Sequence, residues 1–122
     1  MIEVRPPELL DYSTMVRPAN DPQVADLVRR LRSAFDPCTI WLFGSRAQGN
    51  PREDSDYDVM VVVASSDENQ FARHSRGQSV LAGFPAAVDL IVYTEQEWRE
   101  LAPKRYSVAR QVRESGIILH AA

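Results

Sequence analysis

The sequence has a single cysteine, Cys38, so it holds no internal disulfide framework and no Cys-rich zinc site. Its two histidines, His74 and His120, have no zinc-ligand spacing either. Long hydrophobic runs are missing. The longest, residues 59–64, is far short of the roughly 20 residues that span a bilayer. The start, Met1-Ile2-Glu3-Val4-Arg5-Pro6-Pro7, lacks the apolar stretch of a secretory signal. There is no excess of positive charge. With 14 basic residues against 17 acidic ones the net charge is −3, which argues against a protein that coats duplex nucleic acid. No internal repeat or low-complexity tract occurs. These absences together give the expectation of a cytoplasmic soluble domain with neither membrane nor nucleic acid as partner.

What is present suits one globular domain: 122 residues, 44% hydrophobic and 25% charged. Residues 1–20, with Pro6, Pro7 and Pro18, read as an extended N-terminal arm, and residues 21–122 as the folded domain. Asp21 can cap a helix that Pro22 begins. Val24, Leu27, Val28, Leu31 and Phe35 then recur at helical spacing until Asp36-Pro37, with Arg29, Arg30 and Arg32 on the outer face. Residues 39–43 form a β-branched and aromatic run that ends at Gly44, and residues 57–64 read as a central strand buried on both faces.

Residues 65–83 are polar, with a helix expected from Ser66 or Asp67. Arg73, His74 and Arg76 read there as a solvated helix face. A third strand is expected over residues 87–93. Thr94 followed by Glu97 is a capping box for a helix running to Leu101. A further helix over 104–114 and a short strand over 117–120 complete the pattern. Trp41 reads as core, Trp98 as core or interface, and Cys38 as a small buried residue. The charges over residues 95–114 nearly cancel, so no basic patch is evident there. The sum is an α/β domain with three or four strands.

Three features carry chemistry. Gly44-Ser45 ends the first strand, Asp56 and Asp58 flank Tyr57 at the start of the second, and Asp89 lies in the third. Residues i and i+2 of a strand face the same side, so Asp56 and Asp58 present two carboxylates together. Asp89 joins them if the third strand pairs with the second. A charge within an apolar strand is costly unless paired or bound to metal, and neither strand contains Lys or Arg. Oxygen-only ligands suit Mg²⁺ or Mn²⁺ rather than zinc. A glycine at a strand end lets backbone N–H groups approach a phosphate, Ser45 adds a hydroxyl, and Arg46 offers a cation for a triphosphate. Acids that bind metal beside such a turn are what metal-assisted phosphoryl or nucleotidyl transfer requires.

The run Phe43-Gly44-Ser45-Arg46-Ala47-Gln48-Gly49, followed after a ten-residue spacer from Ser45 by Asp56-Tyr57-Asp58, resembles the signature of the DNA polymerase β-like nucleotidyltransferase superfamily. The resemblance covers about residues 22–120, and the small size is similar to its minimal nucleotidyltransferases, including those that act as antitoxins. It implies a small mixed sheet of three to five strands with helices packed on it. It also implies two Mg²⁺ ions, with Asp56 and Asp58 ligating both. Asp89 would ligate the catalytic ion and help to activate an acceptor hydroxyl. Gly44 and Ser45 would hold the β- and γ-phosphates of a nucleoside triphosphate. Where family members often have Gly-Ser-Arg-Ala-Arg-Gly, this chain has Gln48 in place of the second arginine.

The function expected from the resemblance is transfer of a nucleoside monophosphate, AMP from ATP, with release of pyrophosphate. The expected acceptor is a HEPN-domain toxin, with a homo- or hetero-oligomer as the assembly. Two alternatives stand beside it. One is a small-molecule adenylyltransferase of the aminoglycoside type, which usually carries an additional helical domain. The other is a non-catalytic antitoxin or nucleotide-binding module.

Overall fold

Helix α1 (Pro22–Phe35) is fixed at both ends by its own sequence. The Asp21 side chain accepts from the Gln23 N–H at 2.8 Å, Pro22 opens the first turn, and the Asp36 N–H closes the last turn on Arg32 O. The computed structural model describes residues 21–49 and 56–122, so the expected arm of residues 1–20 lies outside the described residues. Strands β1 (Cys38–Phe43) and β2 (Tyr57–Val63) follow, then helix α2 (Gln70–Val80) and strand β3 (Val88–Thr94). Helices α3 (Glu95–Leu101) and α4 (Val108–Ser115) lead to strand β4 (Ile117–His120).

The described strands form one mixed sheet in the order β3-β2-β1-β4. β1 is antiparallel to β2 and to β4, while β2 and β3 run parallel. This is the small mixed α+β sheet that the resemblance implied. Strand alternation sorts the side chains onto two faces. Tyr57, Val59, Val61, Leu90, Val92, Ile40 and Leu42 pack with Leu27, Leu31 and Phe35 of α1. On the other face Phe43, Met60 and Val62 pack with Val112 of α4, and Trp41 stacks on Trp98 of α3 with ring centroids 5.6 Å apart. Both tryptophans are partly buried and pack against the core of that face. β2 is buried nearly throughout, as expected of a central strand, and so is Cys38.

Three expectations are corrected. α2 starts at Gln70 rather than near Ser66, because Asn69 is the residue whose side chain caps it, accepting from the Ala72 N–H at 2.8 Å. The last helix starts at Val108 rather than Lys104. Tyr106 holds a left-handed conformation (φ 69°) that breaks any helix there, and Ser107 supplies the cap. Arg73 is not on a solvated face: only 3% exposed, it donates through Nη2 to both carboxylate oxygens of Glu97 at 2.8 and 3.0 Å. His74 and Arg76, by contrast, are exposed as expected.

Candidate active site

The topology brings the separate sequence motifs to one end of the sheet. β1 ends where β2 begins, with Phe43 opposite Asp58, and in the adjoining parallel pair Asp58 lies opposite Asp89. Phe43, Asp58 and Asp89 therefore form a row across three strands, with side chains on the α3/α4 face. The helices of that face pack over Met60 and Val62, further along β2 from Asp58.

Gly44 follows directly. Its φ of 73° is left-handed, which glycine adopts without the steric cost that a side chain brings. A Cβ at this position would stand 2.1 Å from Asp58 Oδ2, so glycine is also the only residue that leaves the carboxylate its place. The Gly44 carbonyl accepts from the Ala47 and Gln48 N–H groups at 3.1 and 3.2 Å, folding residues 44–48 into a tight turn. Ser45 and Arg46 are half-buried in this turn, and the Arg46 guanidinium lies over the Tyr57 ring, 4.1 Å from its centroid. Residues 50–55, which join the turn to the acids, lie outside the described residues.

The acids differ in environment. Asp58 is half-buried, whereas Asp56 and Asp89 are exposed. The expectation that Asp89 carries the burial cost is therefore corrected: it lies near the start of an edge strand, where solvent reaches it, and Asp58 in the central strand bears the cost instead. Burial pushes the Asp58 carboxyl above its usual range. The charge of Asp89, a hydrogen bond to Asp89 and the charge of Asp56 push it in the same direction. Asp58 and Asp89 are thus brought together, and Asp56 is near enough to repel Asp58. As the side chains stand, no three His, Cys, Asp or Glu residues among the described ones form a closed ligand cluster. The donor set still fits a hard divalent cation in its chemistry: all oxygen, negative, and carrying a repulsion that a cation would relieve.

Sequence reasoning missed one contributor to this end of the sheet. Tyr57, between the acids, points to the opposite face and is 1% exposed. Its hydroxyl donates to Asp21 Oδ2 at 2.9 Å, with Gln23 Oε1 equally close, and burial pushes its pKa up to about 12. Strand alternation gives its direction from the sequence, but the partners come from a helix 34 to 36 residues earlier.

A four-stranded mixed sheet with a glycine-serine turn packed against an acidic row is the arrangement of a nucleotidyltransferase. The family model for polymerase β nucleotidyltransferases matches residues 26–119, and the chain belongs to that family. No curated protein shows a significant sequence match.

Among solved structures, a chain of a toxin–antitoxin crystallised with AMP-PNP is 25% identical. The match covers 84% of this chain and 75% of that one, with a TM-score of 0.61. A mutant of the toxin–antitoxin MntA–HpeT in which a tyrosine is replaced is 26% identical over 80% and 72% of the two chains, with a TM-score of 0.57. The toxin–antitoxin MntA–HepT, at 23% identity over 80% and 69% with a TM-score of 0.53, shares the fold. The chain is thus a nucleotidyltransferase-family domain that is similar to chains of toxin–antitoxin crystal structures. Among the described residues no helix is long and apolar enough to cross a membrane.

Proposed function

We propose that this chain is a Mg²⁺-dependent adenylyltransferase that moves AMP from ATP to a hydroxyl group on a partner toxin of the HEPN type, acting as its antitoxin. Gly44, Ser45 and Arg46 bind the triphosphate. Asp56, Asp58 and Asp89 hold the metal, with Mn²⁺ as a substitute. When bound, the ions neutralise the carboxylates and the charge that develops on the phosphates. The acceptor oxygen attacks the α-phosphorus, the bond to the β-phosphate oxygen breaks, and pyrophosphate leaves. Asp89, exposed and beside Asp58, takes the hydroxyl proton.

The observation that carries this reading is the register that sets Asp58 opposite Asp89 and Gly44 against Asp58. The likeness to a toxin–antitoxin that binds AMP-PNP supports the choice of nucleotide and of partner. The cytoplasm is the location this reading proposes, where ATP and such a partner would meet the domain.

The test is incubation of the purified chain with α-labelled ATP, Mg²⁺ and a HEPN-type protein, sought first in the neighbouring open reading frame. Label on that partner, lost in an Asp56→Asn/Asp58→Asn double variant together with neutralisation, is the expected result. A double variant that still neutralises the toxin would overturn catalysis in favour of binding alone.

A further inference from the structure

The turn that follows β1 straddles the start of β2. Gly44 packs on the Asp58 side, whereas Arg46 lies over the Tyr57 ring and Ala47 is buried in the core on that same side. Tyr57 and Asp58 thus address the turn from the two faces of one strand. The Tyr57 ring is held from several directions. Phe84 meets it edge-on with centroids 5.8 Å apart, and its hydroxyl is tied to the Asp21 cap of α1 and to Gln23. A buried ring tied at its far end offers a fixed face, which favours one position of the guanidinium that lies on it. Arg46 is one residue from Ser45 and two from Gly44, so fixing it fixes the backbone offered to the phosphates.

We propose that Tyr57 is the positioning residue of the nucleotide turn, acting through Arg46: its ring is the platform on which the guanidinium lies, and its hydroxyl anchors that platform to the N-terminus of α1. This rests on the reading of residues 44–46 as the nucleotide site. It accounts for an aromatic ring, rather than an aliphatic side chain, at this buried position of the strand. It also makes the α1 cap part of the site, because Asp21 both starts the helix and accepts the hydrogen bond of the Tyr57 hydroxyl.

The test is calorimetric titration with AMP-PNP and Mg²⁺, run on variants whose circular dichroism and melting match the unmutated protein. Loss of the platform in Tyr57→Leu weakens binding by up to about five- to tenfold, the most that a contact of this kind can contribute by holding Arg46 in place before the ligand arrives. Tyr57→Phe, which keeps the ring, recovers most of the affinity. Arg46→Lys keeps the charge but not the plane that stacks, and loses affinity as Tyr57→Leu does without touching the core. In an Arg46→Ala background, Tyr57→Leu adds nothing further, because the two act as one unit.

Additive losses, or an Arg46→Lys variant that binds like the unmutated protein, overturn the positioning role while leaving the nucleotide site in place. Absence of AMP-PNP binding in the unmutated protein overturns the site itself and the role with it.

Discussion

A methyl group at Gly44 would stand 2.1 Å from Asp58 Oδ2, closer than any real side-chain carbon approaches an oxygen. The turn and the half-buried acid therefore compete for one volume, and only glycine yields it. Gly44→Ala must either displace the Asp58 carboxylate or shift the turn, and it also places a side chain at φ 73°. A left-handed non-glycine residue costs on the order of 1–3 kcal/mol. We expect a destabilisation of about that size in urea melts and a loss of nucleotidyl transfer of about a hundredfold or more, since a misplacement near 1 Å can cost that much. A variant with unchanged activity would mean that the close approach of Gly44 to Asp58 does not matter to the chemistry.

Asp58 sits half-buried among acids, so its charge weakens the metal-free fold while serving the site. Asp58→Asn keeps the shape and removes the repulsion from Asp89 and Asp56. The expected outcome is a higher melting temperature than the unmutated protein in EDTA, together with loss of transfer. Adding Mg²⁺ raises the melting temperature of the unmutated protein, because a ligand that binds only the folded state stabilises it, and does so far less in the variant. Melting curves with and without Mg²⁺ decide the matter. A variant less stable than the unmutated protein in EDTA would mean that Asp58 is held by compensating contacts.

The parts of this fold that were legible in the sequence are those determined by neighbours in the chain. Asp21-Pro22 marks the start of α1, and Thr94 with Glu97 forms the capping box, because cap and helix lie within a few residues. The start of α2 was not legible, since Ser66, Asp67 and Asn69 are all capping types. Ser66 in fact closes a local turn by accepting from the Glu68 N–H, and Asn69 does the capping. The motif itself, Gly44-Ser45 with Asp56, Asp58 and Asp89, could be read from residue types and spacing. Which acid is sheltered could not, because that depends on β3 lying at the edge of the sheet, beside the central β2. Arg73 misled for the same reason, its carboxylate partner lying 24 residues further along.

Gly77 lies inside α2, where alanine would ordinarily raise helix stability by about 1 kcal/mol. A Cβ there would instead meet Leu90 Cδ2 at 2.3 Å and the Phe35 ring at 3.3 Å. Both neighbours are buried in the main core, at 5% exposure each, so neither has free space to turn into. Overpacking of a closed core costs roughly 1–3 kcal/mol. Gly77→Ala is therefore expected to destabilise by about 1 kcal/mol net, measured by chemical denaturation. A stabilised variant would show that the α2–β3 contact relaxes easily.

The Arg73–Glu97 pair joins α2 to the first turn of α3, and its members are unequal. The Arg73 side chain is 3% exposed and that of Glu97 35%. Glu97→Gln leaves the arginine charge buried and uncompensated, which in a fully buried pair costs about 3–5 kcal/mol and here, with one partner partly solvated, about 2–3 kcal/mol. Arg73→Met removes the buried charge together with an Nε that has no partner among the described residues. It leaves Glu97 in contact with water and with the Thr94 N–H at 2.8 Å, so its cost is about 1 kcal/mol or less.

Burial alone would raise the Glu97 pKa, but the Thr94 N–H and Arg73 together outweigh it and hold the carboxyl below its ordinary 4.5. The pair's contribution is thus present in full above that value and is lost as the pH falls through the lower folded-state value. Urea melts at pH 7 rank the two variants, and a series taken below pH 4.5 follows the loss in the unmutated protein. Glu97→Gln should show a flatter fall with acid than the unmutated protein, because the group that titrates has gone. An Arg73→Met variant weaker at pH 7 than Glu97→Gln would reverse the ordering and make packing of the arginine stem, rather than its charge, the dominant contribution.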